Sequence, residues 1–195
     1  MAVNCSERGA MDRRVIKTRK QIVSAFLKLL KGKGFDKITI QDIADEADIN
    51  RGTVYLHFED KYDLMDFCID SYVDEMFTAC SGSSEIKIKR ESFMMLFDYL
   101  GENRELYKLL LENDKNSVFL KRMETAVEQQ VRVVLEHNSA KKDKKPEILI
   151  RFMVSGFLGV VDLWIRDYPV CTPSEATDLL METLAPHMET LMYTI

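Results

Sequence analysis

Arg51, Gly52, Thr53, Tyr55, Leu56 and His57 fall within one short stretch, RGTVYLH, with Lys61 close behind. These residue types suit the reading of a DNA duplex. Arginine can bond the edge of a guanine with two hydrogen bonds, threonine can donate or present its methyl group to thymine, and glycine permits close approach. Tyr55, His57 and Lys61 carry donors suited to phosphate oxygens. Catalytic chemistry has less to stand on. The three histidines, His57, His137 and His187, belong to no Ser/His/Asp or Cys/His constellation, and the chain contains neither a phosphate-binding glycine loop nor an H-E-x-x-H pair. The four cysteines, Cys5, Cys68, Cys80 and Cys171, are scattered without metal-ligand spacing and read as reduced, structural thiols. Neither an enzyme nor a metal or cofactor is expected.

Residues that read DNA need short helices to present them. Thr39 is a good N-cap for a helix whose inward face is Ile40, Ile43, Ala44 and Ala47, and the two small alanines allow a second helix to pack closely. Asn50 caps that second helix, only about two turns long, with Ile49 anchoring the turn and Val54 and Phe58 pointing inward. Arg51, Thr53, Tyr55, Leu56 and His57 are left facing outward. Asp60 then caps a longer helix at Lys61, with Asp63 helping to close its first turn. Ahead of this hairpin, Ile22, Phe26, Leu29 and Leu30 share one face of a helix over Arg13–Lys33, Gly34 stops it, and Phe35 is placed to plug a three-helix core.

The run Thr39, Ile43, Ala44, Ala47, Ile49, Gly52, Thr53, Val54, Tyr55, His57, Phe58, Asp60 and Lys61 resembles the N-terminal signature of the TetR family of helix-turn-helix transcriptional regulators. One position departs, with Asn50 where serine or threonine is commoner, and asparagine caps equally well. The resemblance implies an all-α protein with a three-helix DNA-binding domain over residues 1–60, a linking helix over 60–80, and a regulatory and dimerisation domain over 61–195. It implies base reading by Gln41, Arg51, Gly52, Thr53 and Leu56. Phosphate contact falls to Thr18, Thr39, Tyr55, His57, Lys61 and Tyr62. The implied partners are a double-stranded operator and a second copy of the chain.

A net charge of -5 over 195 residues looks wrong for a DNA binder until it is divided. Residues 1–61 hold twelve Lys/Arg against nine Asp/Glu, a balance of +3, whereas the remainder holds fifteen against twenty-three, a balance of -8. The basic end carries the motif, as phosphate contact requires. The start of the chain lacks the apolar core of a signal peptide, and its longest apolar runs fall short of the ~20 residues of a spanning helix, so a cytoplasmic protein without a membrane role is expected.

Beyond the motif the periodicity is helical throughout. Leu64 to Phe77 carry more apolar surface than a small reading head can bury, and Ser81–Ser84 mark a loop. Phe93, Met94, Leu96, Phe97 and Leu100 form one face, Leu106 to Leu111 another, and Val127, Val131, Val134 and Leu135 a third. The lysine-rich stretch Lys141–Lys145 reads as a solvated loop. An apolar helix then runs from Ile148 to Asp167 and stops at Pro169. Thr172, Pro173 and Glu175 open a last helix with a capping box, and Pro186 should end or kink it.

These closing helices resemble the pair that builds a four-helix dimer interface in many TetR regulators, which points to Gly156, Gly159, Val160, Leu179 and Leu180. Nine of the eleven methionines lie after residue 61, with most of the aromatics. Such residues line adaptable apolar pockets as well as ordinary cores. Phe93, Phe97, Tyr107, Met123, Phe152 and Trp164 are the candidates for a pocket taking a small hydrophobic or aromatic effector. The leading expectation is a ligand-responsive repressor; the alternative is a protein of the same fold that acts through a protein partner.

Overall fold

The computed structural model describes residues 5–80, 90–115, 117–136, 145–166 and 171–193, and among them the regular structure is helical. The expected loop Ser81–Ser84, the lysines at 141–144 and the stop at Pro169 lie outside the described residues. The chain divides into two compact units, Met1–Ile69 and Asp70–Ile195. The division falls within a helix, later than the expected 60/61. Leu64, Met65, Cys68 and Ile69 are buried, and Phe67 packs its ring 5.3 Å from that of Phe58, so the start of the linking helix is part of the first core.

In the first unit, α1 (Cys5–Lys33) begins well before the expected Arg13. Its Ile22, Phe26 and Leu30 are buried against a short 3-10 turn (Phe35–Lys37) and α2 (Ile40–Glu46). Gly34 ends α1 with φ at 73°, a conformation that glycine adopts without strain. Phe35 fills the centre as expected, edge-on to Phe26 at 6.3 Å and to Tyr62 at 5.1 Å.

The start of α2 is fixed by a reciprocal cap. The Thr39 hydroxyl accepts from the Asp42 amide, and the Asp42 carboxylate accepts from the Thr39 amide at 2.7 Å. Asp42 also pairs with Lys33, and the Lys33 and Thr39 hydrogen bonds lower its pKa to about 2. Ile43, Ala44 and Ala47 are buried as the pattern requires, while Ile40 is only half-buried. The turn out of α2 passes through Asp48 with φ at 51°, closed by the Ile49 amide on the Ala44 carbonyl at 3.0 Å. Among L-residues Asp and Asn tolerate this left-handed geometry best, which is why the turn needs no glycine.

In the second unit, α4 (Lys61–Cys80) continues past the division and is followed by α5 (Arg90–Glu102), α6 (Arg104–Asn113), α7 (Val118–Glu136), α8 (Lys145–Arg166) and α9 (Pro173–Tyr193). Helix α5 packs on α6 and α9, and α8 on α6, α7 and α9. The core is built by Phe97, Leu100, Tyr107, Phe119, Met123, Val154, Val161, Trp164 and Ile165. The capping box of α9 forms as read, with the Thr172 amide donating to Glu175 at 2.7 Å. Pro186 does not end that helix, which runs on to Tyr193.

Helix α8 also corrects the reading of the apolar runs. Glu147–Arg166 gives 20 residues of mean hydropathy 1.9, long and apolar enough by composition to cross a bilayer. Its polar positions interrupt short runs without lowering the average. One side of it, from Ile150 through Met153, Val154, Phe157 and Val161 to Ile165, is buried in the core of the second unit.

Candidate nucleic-acid interface

Helix α3 (Arg51–Tyr55) follows the turn at Asp48, and Asn50 caps it by accepting from the Gly52 amide at 2.9 Å. Val54 and Phe58 are the inward anchors, 0% and 3% exposed. With those two fixed, the remaining positions are thrown outward. Arg51 and Gly52 are exposed, Thr53 and His57 half-buried, Tyr55 46% exposed and Leu56 85% exposed. Leu56 thus stands beside the polar edge of α3, its side chain contributing little to the core. A Cβ built at Gly52 would meet only Asn50 Oδ1, at an ordinary 3.5 Å, so the packing within the chain does not require glycine.

Arg51 and Tyr55 meet each other. The guanidinium Nη2 donates to the tyrosine oxygen at 3.0 Å, and its carbon lies 5.4 Å from the ring centroid. Gln41, on the exposed side of α2, donates to Asp45 at 2.7 Å. Thr18 donates back to the Arg14 carbonyl at 3.0 Å, while Arg14, Lys17, Arg19 and Lys20 around it are exposed on α1. His57 sits beside Phe58 with its pKa lowered, first by burial and then by the charge of Arg19.

Two of the expected phosphate donors are engaged within the unit instead. The ammonium of Lys61 donates to the carbonyls of Phe35, Asp36 and Ile38 at 3.0–3.1 Å and lies over the Phe35 ring at 4.8 Å. Three acceptors match its three protons. The hydroxyl of Thr39 donates to Asp42 at 2.6 Å and accepts from the Asp42 amide, so its polar capacity closes the cap of α2. Tyr62 remains exposed at 48%, its ring against Phe35.

Asp60 caps α4 as read, accepting from the Tyr62 and Asp63 amides, whereas Asp63 reaches back to the Glu59 amide rather than to Asp60. Arg19, which the sequence placed with Lys17 and Thr18 as a candidate phosphate contact, also covers Phe58 at 5.7 Å and Phe67 at 5.1 Å with its guanidinium, a packing role the sequence did not show. The sequence reading missed Gln21, which donates to the Ala47 carbonyl and ties α1 to the end of α2. Their signal was an arginine and a glutamine on the helix edge beside the apolar stripe of α1.

The expected effector residues separate. Phe97 and Trp164 are buried with ring centroids 5.3 Å apart, and a Cβ at Gly101 would lie 3.3 Å from the Trp164 ring. Tyr107 is fully buried between Tyr99 and Phe119, its hydroxyl donating to the Tyr72 carbonyl at 2.8 Å; burial raises its pKa. Met123 is fully buried, and Phe93 is half-buried against Phe157 at 5.7 Å. Phe152 does not join them. It is 58% exposed on the outer side of α8, because Ile150, Met153, Val154, Phe157 and Val161 form the buried side.

Of the residues expected at a dimer face, Gly156 and Gly159 are exposed, Val160 half-buried and Leu179 58% exposed. Leu180 is 4% exposed and belongs to the core of its own chain, one helical step round from Leu179.

A short capped helix of five residues, packed on α2 with its polar and aliphatic side chains outward, is the arrangement of a helix-turn-helix DNA-binding head. Residues 22–66 match the family described as "Bacterial regulatory proteins, tetR family", and residues 90–185 match "Transcriptional regulator C-terminal region". The chain belongs to the TetR family of transcriptional regulators. It is 27% identical over 99 residues to DhaS of Lactococcus lactis, the dhaKLM operon transcriptional activator, a match covering 51% of each chain. The chain spans about half or less, 19–51%, of the length of the curated relatives it matches. Among solved structures, a TetR regulator from Streptococcus agalactiae shares the fold with a TM-score of 0.66 and 24% identity, covering 95% of this chain and 99% of that one. The SmeT–triclosan complex does so with a TM-score of 0.64 and 19% identity over 87% and 91%.

Proposed function

We propose that this protein is a dimeric, effector-responsive repressor that binds a palindromic operator through α3. The observation that carries the reading is the outward edge of that helix, where Arg51, Gly52, Tyr55 and an 85% exposed Leu56 stand together. Arg51, Thr53, Gln41 and Leu56 take base edges, and Tyr55, His57, Thr18 and Tyr62 take phosphates. Selection of bound duplexes from a random library tests this. The wild type should recover an inverted repeat with half-sites about 34–36 Å apart or a multiple of that spacing, and Arg51→Ala should lose it.

Dimerisation is supported by α8. Ile148, Phe152 and Leu163 are 75%, 58% and 47% exposed along one side of that helix, with Gly156 and Gly159 between them. A Cβ at either glycine meets nothing within 4 Å, so the described residues give no reason for two glycines in mid-helix. A closely approaching helix from a second copy does.

The effector is a small apolar molecule received in the second unit, where Phe93, Phe97, Tyr107, Met123 and Trp164 lie. It acts by binding one spacing of the two heads more tightly than the other. Triclosan, held by a protein of this fold, is a reasonable first probe.

A second reading has its own support. DhaS is named as an activator. An activator of this fold binds DNA through the same helix and recruits a protein through its second unit. A reporter placed downstream of the selected operator separates the two: expression rises on deleting the gene if the protein represses and falls if it activates.

A further inference from the structure

The contact between Arg51 and Tyr55 has a use that neither residue has alone. Four residues apart, they share one side of α3, and both are exposed, so burial does not force them together. They are nevertheless joined twice, by the 3.0 Å hydrogen bond and by the guanidinium lying 5.4 Å from the ring centroid. A free arginine on a surface samples many rotamers and loses that freedom on binding. One whose guanidinium is already fixed by a hydrogen bond and a ring face loses less.

The donors divide cleanly. Guanidinium has five N–H groups; one is used on the tyrosine oxygen, and enough remain for the two bonds that guanine N7 and O6 accept. The tyrosine oxygen is the acceptor in this pair, so its own proton is left to donate to a phosphate.

We propose that Tyr55 is a positioning residue for base reading. It holds the Arg51 guanidinium in the orientation that reads a guanine in each operator half-site, and donates its own proton to the backbone beside that base. The proposal rests on the reading of α3 as the recognition helix, and goes beyond it by naming the base and the residue that sets specificity for it.

The test uses the full-length protein and the operator recovered by selection. Arg51→Ala identifies the guanine as the position whose preference disappears, and should weaken operator binding about 5- to 150-fold, the range for one bidentate base contact. Tyr55→Phe keeps the ring and removes the oxygen, and should weaken binding by about 3- to 10-fold. The decisive comparison replaces that guanine by 7-deazaguanine, which lacks the N7 acceptor. The Tyr55→Phe loss should shrink there and in the Arg51→Ala background, because only its phosphate part survives. A merely structural tyrosine would give one loss on every duplex, and so would a tyrosine that touches phosphate alone. An equal loss in all backgrounds therefore overturns the positioning role while leaving DNA reading intact. If wild type selects no motif, or Arg51→Ala binds every duplex like wild type, recognition by α3 fails and the proposal fails with it. Both side chains are exposed, and unchanged circular dichroism and melting of the variants establish that the fold is not at issue.

Discussion

An ammonium group has three protons, and Lys61 directs all of them at carbonyl oxygens of the segment that leads into α2. Those carbonyls belong to the 3-10 turn and the residue that follows it, where the Phe35 carbonyl also accepts from the Ile38 amide at 3.2 Å, so the lysine reinforces the end of the turn as a C-cap does for a helix. Lys61→Ala should lower stability by about 2 kcal/mol or more, since hydrogen bonds to a charged donor are worth ~1.5–3 kcal/mol each. Urea denaturation reads that loss. The slope of log affinity against log salt should stay where it is; a change of ~0.9 would return Lys61 to a phosphate.

Titration at the same scale separates fold from binding. His57 is held below its usual pKa of 6.5 by burial and by Arg19, so the unfolded chain takes up a proton more readily than the folded one. Its contribution to stability is complete above pH 6.5 and declines as the pH falls through the lowered value. A phosphate at His57 favours the charged ring instead. Between pH 7.5 and 5.5, stability should fall while operator affinity rises, and His57→Gln should flatten both curves. Asp42 acts lower down: its contribution holds above the ordinary value of 3.8 and is lost as the pH falls towards about 2.

The elements were legible wherever a local rule was enough to place them. Thr39, Asn50, Asp60 and Thr172 carry short polar side chains ahead of apolar periodicity, and each caps its helix. What sequence periodicity could not supply was which of two neighbouring stripes a partner helix would cover. Phe152 and Leu180 were misplaced for that reason, each standing one step from a residue with the opposite environment. Lys61 was assigned to DNA because its type suits phosphate, and Thr39 through the family resemblance, whereas the carbonyls and carboxylate that hold them come from other positions in the head. Pro186 sits inside α9 because proline removes one hydrogen bond and need not end a helix whose apolar face is otherwise packed.

The glycines of α8 give a prediction with two opposite signs. A mid-helix glycine costs ~1 kcal/mol against alanine, and the space around a Cβ at Gly159 is open within the chain. Gly159→Ala should therefore stabilise the isolated chain, measured by dilute thermal melting, and weaken the dimer, measured by analytical ultracentrifugation. Gly159→Arg should leave a monomer. A Gly159→Arg variant still dimeric at micromolar concentration would put the interface elsewhere.

Across the whole molecule, charge is divided between the ends of the chain. The first 61 residues carry +3 and the rest -8, so attraction to DNA is confined to the part that holds α3, and the acidic remainder is repelled from the duplex. In the second unit Tyr107 packs between Tyr99 and Phe119 and reaches the backbone of α4 at the Tyr72 carbonyl. Helix α4 contributes residues to both units. A molecule that displaces Tyr107 breaks a bond to that helix, which gives an effector a way to bias it. The coupling should be of ordinary allosteric size, ~1–3 kcal/mol, and must be reciprocal: if the effector weakens operator binding by some factor, the operator weakens effector binding by the same factor. Calorimetric titration of triclosan into the protein, with and without the selected operator, measures both arms. Equal affinities would end the allosteric account, tighter binding on DNA would make the molecule a co-repressor, and Tyr107→Phe should reduce the coupling in either case because the hydroxyl that reaches α4 is gone.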